Sequence, residues 1–569
     1  MAHAQASDGP RQAPIGSAHV PAPPAARPAK ALGVTPGRTD RLALVAIWAV
    51  ASAYNLFKPY HIDDAAYLEI ARWIQAHPLH PMSGLLNWSG SVEPIWKINQ
   101  PALWFYVMAA WAGMFGFAEP TMHALQSLAA LACVFLLHRL ARRVAPGAAL
   151  WVTAIVILGP AFVVEQNVMT DTPLLATWLA VFNLLIVDAD NPRQTQRFVL
   201  AGLACAAAVL IKYSSLALLP VIGMALAAER RAAQAWTLLI PLAAVGAWSL
   251  FNLYDYGGVH IAMRGQTFDL RRSLDLLETW LIGLGAVAPL GMVQIATWLG
   301  ARLARLLCVV WVGWLAGLAI AVAIGLISDR AADRVLWIAF AANAGLIVVG
   351  LAVAAAPLLV RPMGWIAPLT AERAPVVYLL LWIAAATAFY GLFAPFMAIR
   401  HVLTIVPAVT LLLAHRWGAR LRAEAKGVSF GLIAVVSAGL CLSDWRFAAF
   451  ARDETARVAR ETAPGELAWF NAHWGWQWYG RLQGLRQYNP ASGPRPGDWM
   501  LVAVSGAVPD PPVRLGRPRT DVQPRQWLSL FCTGREVRLY AFDSSKPPWS
   551  LSRNCVNQAQ VFRVVPPAG

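Results

Sequence analysis

The sequence predicts an all-α polytopic membrane protein that carries a small C-terminal domain. Three observations support this fold class. Of the 569 residues, 58% are hydrophobic, the mean hydropathy is +0.52 and only 13% are charged, whereas soluble proteins carry about 25% charged residues. Apolar runs of about 20 residues recur along the chain, and each is long enough to cross a bilayer as a helix. Lys and Arg cluster between these runs, which is typical of cytoplasmic loops.

Residues 1–40 precede the first apolar run and are rich in Ala, Pro, Gly and Ser. Such a composition cannot bury a hydrophobic core, so we expect a disordered cytoplasmic tail. The first span is predicted at about 42–57, and the basic residues Arg38 and Arg41 keep the N-terminus inside. A transmembrane domain is then expected over 41–443.

Two segments after the first span are predicted to lie on the membrane surface. Residues 64–76 place apolar and charged side chains on opposite faces of a helix whose N-cap is supplied by the preceding Asp residues. Residues 101–117 are apolar enough to cross, but crossing would put the basic end of the next run, 138–143, on the outer face. We therefore expect juxtamembrane helices at about 64–76 and 101–117.

The remaining apolar runs alternate across the membrane and, with the first span, make about 13 transmembrane helices. An odd number places the C-terminus outside. The predicted spans after the first lie at about 122–137, 148–164, 172–187, 197–212, 214–228, 235–254, 279–300, 306–327, 335–360, 375–396, 402–415 and 427–443.

Residues 444–569 are no longer membrane-like, because short β-like runs at 499–504, 537–542 and 560–565 alternate with turns rich in Pro and Gly. We expect a small α/β or mostly β domain on the outer face. Cys532 and Cys555 lie in it, and they either pair in a disulfide or remain free thiols. The aromatic stretch 469–479 either stacks on sugars or forms core and interface, and the latter interpretation is favoured.

With this topology, a set of polar residues converges on the outer face. Ionisable residues at membrane depth are expensive and usually face a functional cavity. A carboxylate there can deprotonate an acceptor hydroxyl, and Lys or Arg can stabilise a departing phosphate. The simpler alternative is that the acids cap a helix and the cations extend to the interface. The set comprises Asp63, Asp64, Lys97, Asn99, Gln100, Glu165, Asn167, Asp171, Lys212, Tyr213, Arg400 and His401.

Five short motifs occur in a fixed order along this region. They are Asp63-Asp64-Ala65-Ala66-Tyr67, Gln100-Pro101-Ala102-Leu103-Trp104-Phe105-Tyr106, Asp171-Thr172-Pro173, Lys212-Tyr213 and Arg400-His401-Val402-Leu403-Thr404-Ile405-Val406-Pro407. In this order the motifs resemble the GT-C superfamily of glycosyltransferases. The chain is most similar to bacterial glycosyltransferase family 39, which includes protein O-mannosyltransferases and lipid A aminoarabinose transferases. The resemblance covers about residues 41–415.

The resemblance implies a GT-C-like fold and transfer, with inversion, from an undecaprenyl-phosphate-linked sugar to a periplasmic acceptor. It also implies a multi-pass protein of the bacterial inner membrane, with its N-terminus cytoplasmic and its active site and C-terminal domain periplasmic. We expect no metal, cofactor or nucleic acid. The roles it implies are Asp63 as general base, Asp171 as the second acidic residue near the site, and Lys212 and Arg400 at the donor phosphate. Asp64 is a further candidate for the catalytic acids. The candidates for shaping the substrate site are Tyr67, Gln100, Glu165, Tyr213 and His401.

The chain departs from the family pattern at two places. The acidic pair is Asp-Asp where Asp-Glu is usual, so Asp64 is assigned mainly to capping the helix and shaping the site. Gln100 stands before Pro101 where the family has Lys, and Lys97 is the candidate to replace that phosphate-binding cation.

Two other motifs are interpreted as structural, and one alternative function stays open. Asp188-Ala189-Asp190 resembles a metal–nucleotide-sugar motif but lies at a predicted cytoplasmic span end. His77 and His80 have the spacing of metal ligands without a further ligand pattern. A transporter or flippase of a lipid-linked or anionic substrate would also place charges in a membrane cavity. Such a protein should show internal repeats and charges at mid-membrane, whereas this sequence shows no repeat and its charges cluster at one face.

Overall fold

A computed structural model describes residues 37–88, 91–98, 100–186, 194–264, 269–288, 290–291, 300–359, 373–490, 493–503, 511, 513–522, 528–530, 532–533, 536–553 and 558–566. Most of the predicted N-terminal tail, the Asp188-Ala189-Asp190 motif and Cys555 lie outside these residues. For Cys532 and Cys555, the disulfide and the two free thiols therefore both stay predictions.

The described part of the chain is mostly helical. In chain order the helices are α1 Arg38–Ala53, α2 Asp64–Ala76, α3 Leu103–Phe115, α4 Glu119–Val144, α5 Ala149–Ile157, α6 Pro160–Val163, α7 Asp171–Leu185, α8 Gln194–Ile211, α9 Leu218–Ala228, α10 Leu239–Tyr256, α11 Leu270–Val287, α12 Ala301–Ala323, α13 Asp329–Leu359, α14 Ala374–Phe393, α15 Ile399–Leu403, α16 Val406–Trp417, α17 Ala423–Glu461 and α18 Gly475–Leu482.

Six helices among the described residues are long and apolar enough to cross a membrane. They lie at Glu119–Val144, Ala232–Tyr256, Arg305–Ala323, Asp329–Leu358, Ala374–Phe393 and Ala423–Glu461. Five shorter apolar helices accompany them, and the predicted juxtamembrane segment 101–117 forms one of these, Leu103–Phe115. The chain is therefore a multi-pass helical protein, while the total of about 13 crossings stays a prediction.

Several predicted spans are not continuous α-helices among the described residues, and two of them break in the same way. The run 148–164 breaks at Gly159, where a Cβ atom would lie 2.5 Å from the Ile155 carbonyl oxygen, and a new short helix begins at Pro160. Proline is favoured in the first turn of a helix, because an N–H group there would have no helical partner and because the fixed φ of proline already suits the helix. The run 402–415 is divided in the same way, between α15 and α16.

The long helix α17 crosses the predicted boundary between membrane and C-terminal domains. It runs without interruption for 39 residues from Ala423 to Glu461, a length of about 58 Å at 1.5 Å per residue. The boundary predicted at 443/444 thus lies inside a helix, and Asp444 is buried there at 1% exposure. This helix carries the chain out of the apolar region and into the C-terminal sheet.

The C-terminal region contains a mixed five-stranded sheet. Its strands lie in the order β4 (Arg486–Gln487), β3 (Ala468–Asn471), β5 (Trp499–Ala503), β9 (Ala559–Val564) and β6 (Leu515–Val522). Strand β3 pairs in parallel with β4 and β5, whereas β9 pairs antiparallel with β5 and β6. One face packs Phe470 and Leu501 against Phe450 and Val458 of α17. The sequence predicted a small α/β or mostly β domain here, and a small sheet is present; the domain's bounds and its location on the outer face stay predictions. The strands are β1 Leu85–Asn87, β2 Val92–Pro94, β3 Ala468–Asn471, β4 Arg486–Gln487, β5 Trp499–Ala503, β6 Leu515–Val522, β7 Cys532–Thr533, β8 Glu536–Val537 and β9 Ala559–Val564.

The described residues between 528 and 553 leave the sheet and pack against the helices. Phe542 forms a β-bridge with Met397, and the Trp549 indole N–H donates to the Ala286 carbonyl at 3.1 Å. The β-like run predicted at 537–542 is mostly turns beyond Val537. This segment is therefore part of the helical core and contributes residues to the cavity described next.

Candidate active site

A cavity of about 1520 Å³ opens beside the turn that joins α1 to α2. Pockets for drug-sized ligands occupy about 300–1,000 Å³, so this one has room for two bound molecules. Its lining brings together most of the predicted site residues from widely separated parts of the chain. Those that line it are Asp63, Tyr67, Lys97, Gln100, Lys212, Tyr213, Arg400 and His401.

Asp63 is the carboxylate of the pair that faces the cavity. Its side chain is 23% exposed, and its Oδ2 lies 3.6 Å from Nη2 of Arg400. Burial raises the pKa of Asp63, Arg400 opposes this, and the charges of Asp64 and Asp171 raise it further. A carboxylate with a raised pKa holds a proton more strongly than usual, which suits a general base.

The backbone just before Asp63 is held in a strained conformation. Ile62 has φ +51°, a region that a β-branched residue rarely enters. Such strain persists only where surrounding contacts fix it, and it is typical of functional sites. Asp63 occupies the N-cap position of α2 but forms no side-chain capping hydrogen bond, so the predicted cap is not formed.

Asp64 has a different environment from its neighbour. It is fully buried, it is absent from the cavity lining, and its Oδ2 accepts a hydrogen bond of 3.1 Å from the His61 backbone N–H. Asp64 therefore fixes the turn that presents Asp63, which agrees with a shaping role.

Two buried cations approach the cavity beside Asp63. Lys212, at the end of α8, donates to Asp171 Oδ1 at 2.8 Å, and Asp171 begins α7. Arg400 is 8% exposed, and its Nη1 has no hydrogen-bond partner within the described structure. A buried guanidinium with one free edge is suited to bind an anion, because arginine presents paired N–H donors to phosphate oxygens.

Lys97 and Gln100 also line this cavity, but Lys97 lies on a partly exposed loop. Lys97 is 47% exposed and pairs with Glu93 at 2.8 Å. The guanidinium of Arg264 donates to the carbonyls of Trp96, Lys97 and Ile98 and so holds this loop in place. Lys97 can reach the cavity only from this partly exposed loop, so its role at the donor phosphate stays a prediction.

Aromatic partners fix three further predicted residues. The ring of Tyr67 packs edge-on against Phe105, with centroids 5.0 Å apart. His401 stacks on Tyr390 at 4.8 Å, and the Tyr213 hydroxyl lies 3.0 Å from Nδ1 of His260. These contacts keep the walls of the cavity rigid around the charged groups.

Glu165 lies behind the cavity rather than in its lining. It is 1% exposed, and neither carboxylate oxygen has a hydrogen-bond partner among the described residues. Burial raises the pKa of Glu165 to about 8, against the opposing charge of Arg400. A carboxyl group with this pKa is mainly protonated at pH 7, and the neutral form costs less to bury than a carboxylate.

The sequence interpretation missed a buried polar cluster directly behind the Asp63 turn. Lys58 donates to Asp444 Oδ2 at 2.8 Å and to Asn167 Oδ1 at 2.6 Å. His61 Nε2 lies 2.6 Å from Asp444 Oδ1, and the Tyr540 hydroxyl donates to that same oxygen at 3.0 Å. These residues form what we call the Lys58–Asp444 cluster.

The Lys58–Asp444 cluster connects three distant parts of the chain, at Asn167, Asp444 and Tyr540, to the turn before Asp63. Lys58, His61 and Asp444 are each no more than 2% exposed. Burial lowers the pKa of His61, but the Asp444 carboxylate outweighs this and the net pKa is raised. Asp444 was missed because it follows a predicted span and pairs with a residue 386 positions away, which no local pattern reveals.

The aromatic stretch 469–479 divides between core and cavity. Trp476, Trp478 and Tyr479 are buried, and the Tyr479 hydroxyl accepts from the Tyr60 backbone N–H at 2.8 Å. His473 and Trp474, in contrast, line the cavity. Within the described residues, no group of three or more His, Cys, Asp or Glu is placed to hold a metal ion.

One family model matches part of the chain. The model described as dolichyl-phosphate-mannose-protein mannosyltransferase matches residues 99–252. This segment includes three of the five motifs, those at Gln100, Asp171 and Lys212. The match confirms the resemblance to GT-C glycosyltransferases that the motifs indicated. No curated protein sequence matches the chain.

Several solved structures are similar to this chain over part of its length. ArnT from Cupriavidus metallidurans, bound to undecaprenyl phosphate, is 15% identical over 82% of this chain and 92% of its own, with a TM-score of 0.39. AglB from Archaeoglobus fulgidus, an oligosaccharyltransferase in complex with an inhibitory peptide and a dolichol-phosphate, is 12% identical over 82% and 70%, with a TM-score of 0.43. Arabinosyltransferase EmbB from Mycobacterium smegmatis is 16% identical over 74% and 41%, with a TM-score of 0.31.

Proposed function

We propose that this GT-C-like chain is a membrane glycosyltransferase that moves a sugar from a polyprenyl-phosphate-linked donor to an acceptor from the periplasm. Undecaprenyl phosphate is the proposed carrier, and the bacterial inner membrane is the proposed location. The observation that carries the proposal is the joint presence of Asp63, Lys212 and Arg400 in one cavity. Base and phosphate-binding cations are the two kinds of group that such a transfer needs.

The proposed reaction proceeds in a single displacement. Asp63 takes the proton of an acceptor hydroxyl as its oxygen attacks the anomeric carbon, where the new C–O bond forms. The bond from that carbon to the phosphate oxygen breaks, and the electron pair leaves with undecaprenyl phosphate. Attack opposite the leaving group inverts the configuration at the anomeric carbon.

Arg400 and Lys212 are assigned to the leaving phosphate. Arg400 offers an unpaired Nη1, while its Nη2 faces Asp63 at 3.6 Å, so one guanidinium touches both the base and the anion. Charge-assisted hydrogen bonds of this kind stabilise the developing charge most strongly in a buried site. Asp171 orients Lys212, and Lys97 is a further candidate contact.

Reconstituted proteoliposomes test this proposal against the transporter alternative. Liposomes would receive the full chain, a radiolabelled undecaprenyl-phosphate sugar and a membrane extract as acceptor source. The proposal predicts label in a covalent product together with released undecaprenyl phosphate. Movement of labelled donor between leaflets without any covalent product would overturn it in favour of transport. An Arg400→Gln variant is the control for dependence on the donor: its transfer should fall, because Arg400 is assigned to the donor phosphate.

A further inference from the structure

Three aromatic side chains form one wall of the cavity. The proposed transfer chemistry assigns no role to this wall. Trp88 follows β1, and His473 and Trp474 precede α18. The rings of Trp88 and His473 meet at 62° with centroids 4.0 Å apart, and His473 and Trp474 are 5.0 Å apart. Trp88 and Trp474 are only partly buried, so each keeps ring surface open. We call this group the aromatic wall.

His473 carries an unsatisfied hydrogen-bond acceptor within this wall. It is 6% exposed, and its Nδ1 has no partner among the described residues. The Trp88 carbonyl accepts a hydrogen bond from the ring, which leaves Nε2–H as the donor. Burial lowers the pKa of His473 to about 4, so the ring is neutral and Nδ1 is an acceptor at pH 7. A hydroxyl group is a donor of the kind that this nitrogen lacks.

The backbone of Trp474 is strained. Its φ is +64° with ψ −132°, a region that residues other than glycine rarely occupy. Strain of this kind is concentrated at ligand-binding positions. Its neighbours Trp476 and Trp478 are buried core residues and are not among the described non-glycine residues with positive φ. The strain therefore marks the residue that faces the cavity.

The aromatic wall is attached directly to the turn that carries the base. Gly475 packs so closely against this turn that a Cβ atom there would lie 2.4 Å from the Tyr60 carbonyl oxygen. Gln477 donates to the carbonyls of Asn87 and Trp88, which ties the two parts of the wall together. A molecule held by the wall is thus held by the same structural unit as Asp63.

We propose that the aromatic wall is a subsite for a saccharide ring of the acceptor, an inference that rests on the proposed transferase function. A pyranose presents an apolar C–H face that packs on an indole ring, and hydroxyls at its edge that donate to a neutral imidazole nitrogen. The serine and threonine side chains of an unglycosylated peptide offer no such combination in one rigid group. The protein accordingly glycosylates a glycan or glycolipid.

Saturation-transfer difference NMR on the full chain in nanodiscs tests this subsite. The probes are the methyl pyranosides of glucose, mannose and galactose, with N-acetyl-Ala-Ser-Ala-amide as the peptide probe. At least one pyranoside is expected to bind through its ring C–H protons. Trp88→Leu and Trp474→Leu should weaken that binding about tenfold, whereas Trp474→Phe should retain most of it. Trp236→Leu is the control, because Trp236 is 49% exposed and does not line the cavity.

Undecaprenyl phosphate binding is measured on the same samples, so that the two proposals fail separately. Retained binding in the Leu variants shows that they are folded. The acceptor subsite is overturned if no pyranoside binds, if the peptide binds in their place, or if the Leu variants bind pyranosides as the wild type does. Failure of undecaprenyl phosphate to bind the wild type would instead overturn the proposed transferase function.

Discussion

Two lysine–carboxylate pairs with the same separation make a controlled test of the buried cluster. Lys58–Asp444 and Lys97–Glu93 both have N···O distances of 2.8 Å. The first pair is 2% and 1% exposed, and the second is 47% and 40% exposed. Distance is therefore held constant while solvation differs.

The difference in burial sets the expected magnitudes. Removing one partner of a buried ion pair costs about 3–5 kcal/mol, whereas an exposed pair contributes about 0–1 kcal/mol. In Asp444→Asn, Lys58 keeps neutral acceptors in Asn167 Oδ1 at 2.6 Å and the Val164 carbonyl at 3.4 Å. We therefore expect the lower end of the first range, about 3 kcal/mol of unfolding free energy, and less than about 1 kcal/mol for Glu93→Gln.

Unfolding by denaturant in mixed micelles measures both variants. The double variant Lys58→Met/Asp444→Leu should recover part of the loss, because neither buried charge is then left unpaired. The reasoning is refuted if Asp444→Asn and Glu93→Gln cost equal amounts, or if the double variant is as unstable as the sum of Lys58→Met and Asp444→Leu.

Three further predictions concern the site and its support. Arg400→Gln should weaken undecaprenyl phosphate binding about tenfold to hundredfold, as measured by titration in detergent, because a charged hydrogen bond to phosphate is lost; unchanged affinity would remove Arg400 from the donor site. Gly475→Ala should abolish transfer, since its Cβ would meet the Tyr60 carbonyl oxygen at 2.4 Å, while Gly431→Ala, which meets nothing within 4 Å, should leave transfer intact. The raised pKa of Glu165, about 8 against an ordinary 4.5, should make wild-type unfolding free energy fall as pH rises between these values, and Glu165→Gln should flatten that profile; a profile that the substitution leaves unchanged would contradict the assignment.

The helical class and the polar face of the fold follow from patterns along the sequence. Apolar runs predict most helices, and α2 begins at Asp64 as its amphipathic pattern indicates. The breaks at Gly159 and between α15 and α16 were missed, because an apolar run shows no periodicity that distinguishes a broken helix from a continuous one. Long α17 was divided too early for a related reason: hydropathy marks where a helix leaves the apolar region, and the helix continues beyond it.

Much of the candidate site was predictable because its residues belong to ordered motifs. Asp63, Lys212 and Arg400 line one cavity as those motifs implied. What the sequence could not show is the set of contacts made by tertiary pairing. Asp444 and Tyr540 meet His61 only through folding, and the division of stretch 469–479 into core and cavity residues depends on the backbone turn at Trp474.

Asp63→Asn tests the central claim most directly. The substitution keeps the size of the side chain and removes the base, so transfer of labelled sugar from undecaprenyl phosphate should fall about a hundredfold or more. Binding of undecaprenyl phosphate should persist, because Arg400 and Lys212 are unchanged. Transfer by Asp63→Asn at a rate within a few-fold of wild type, in the same proteoliposomes, would contradict the assignment of Asp63 as the general base.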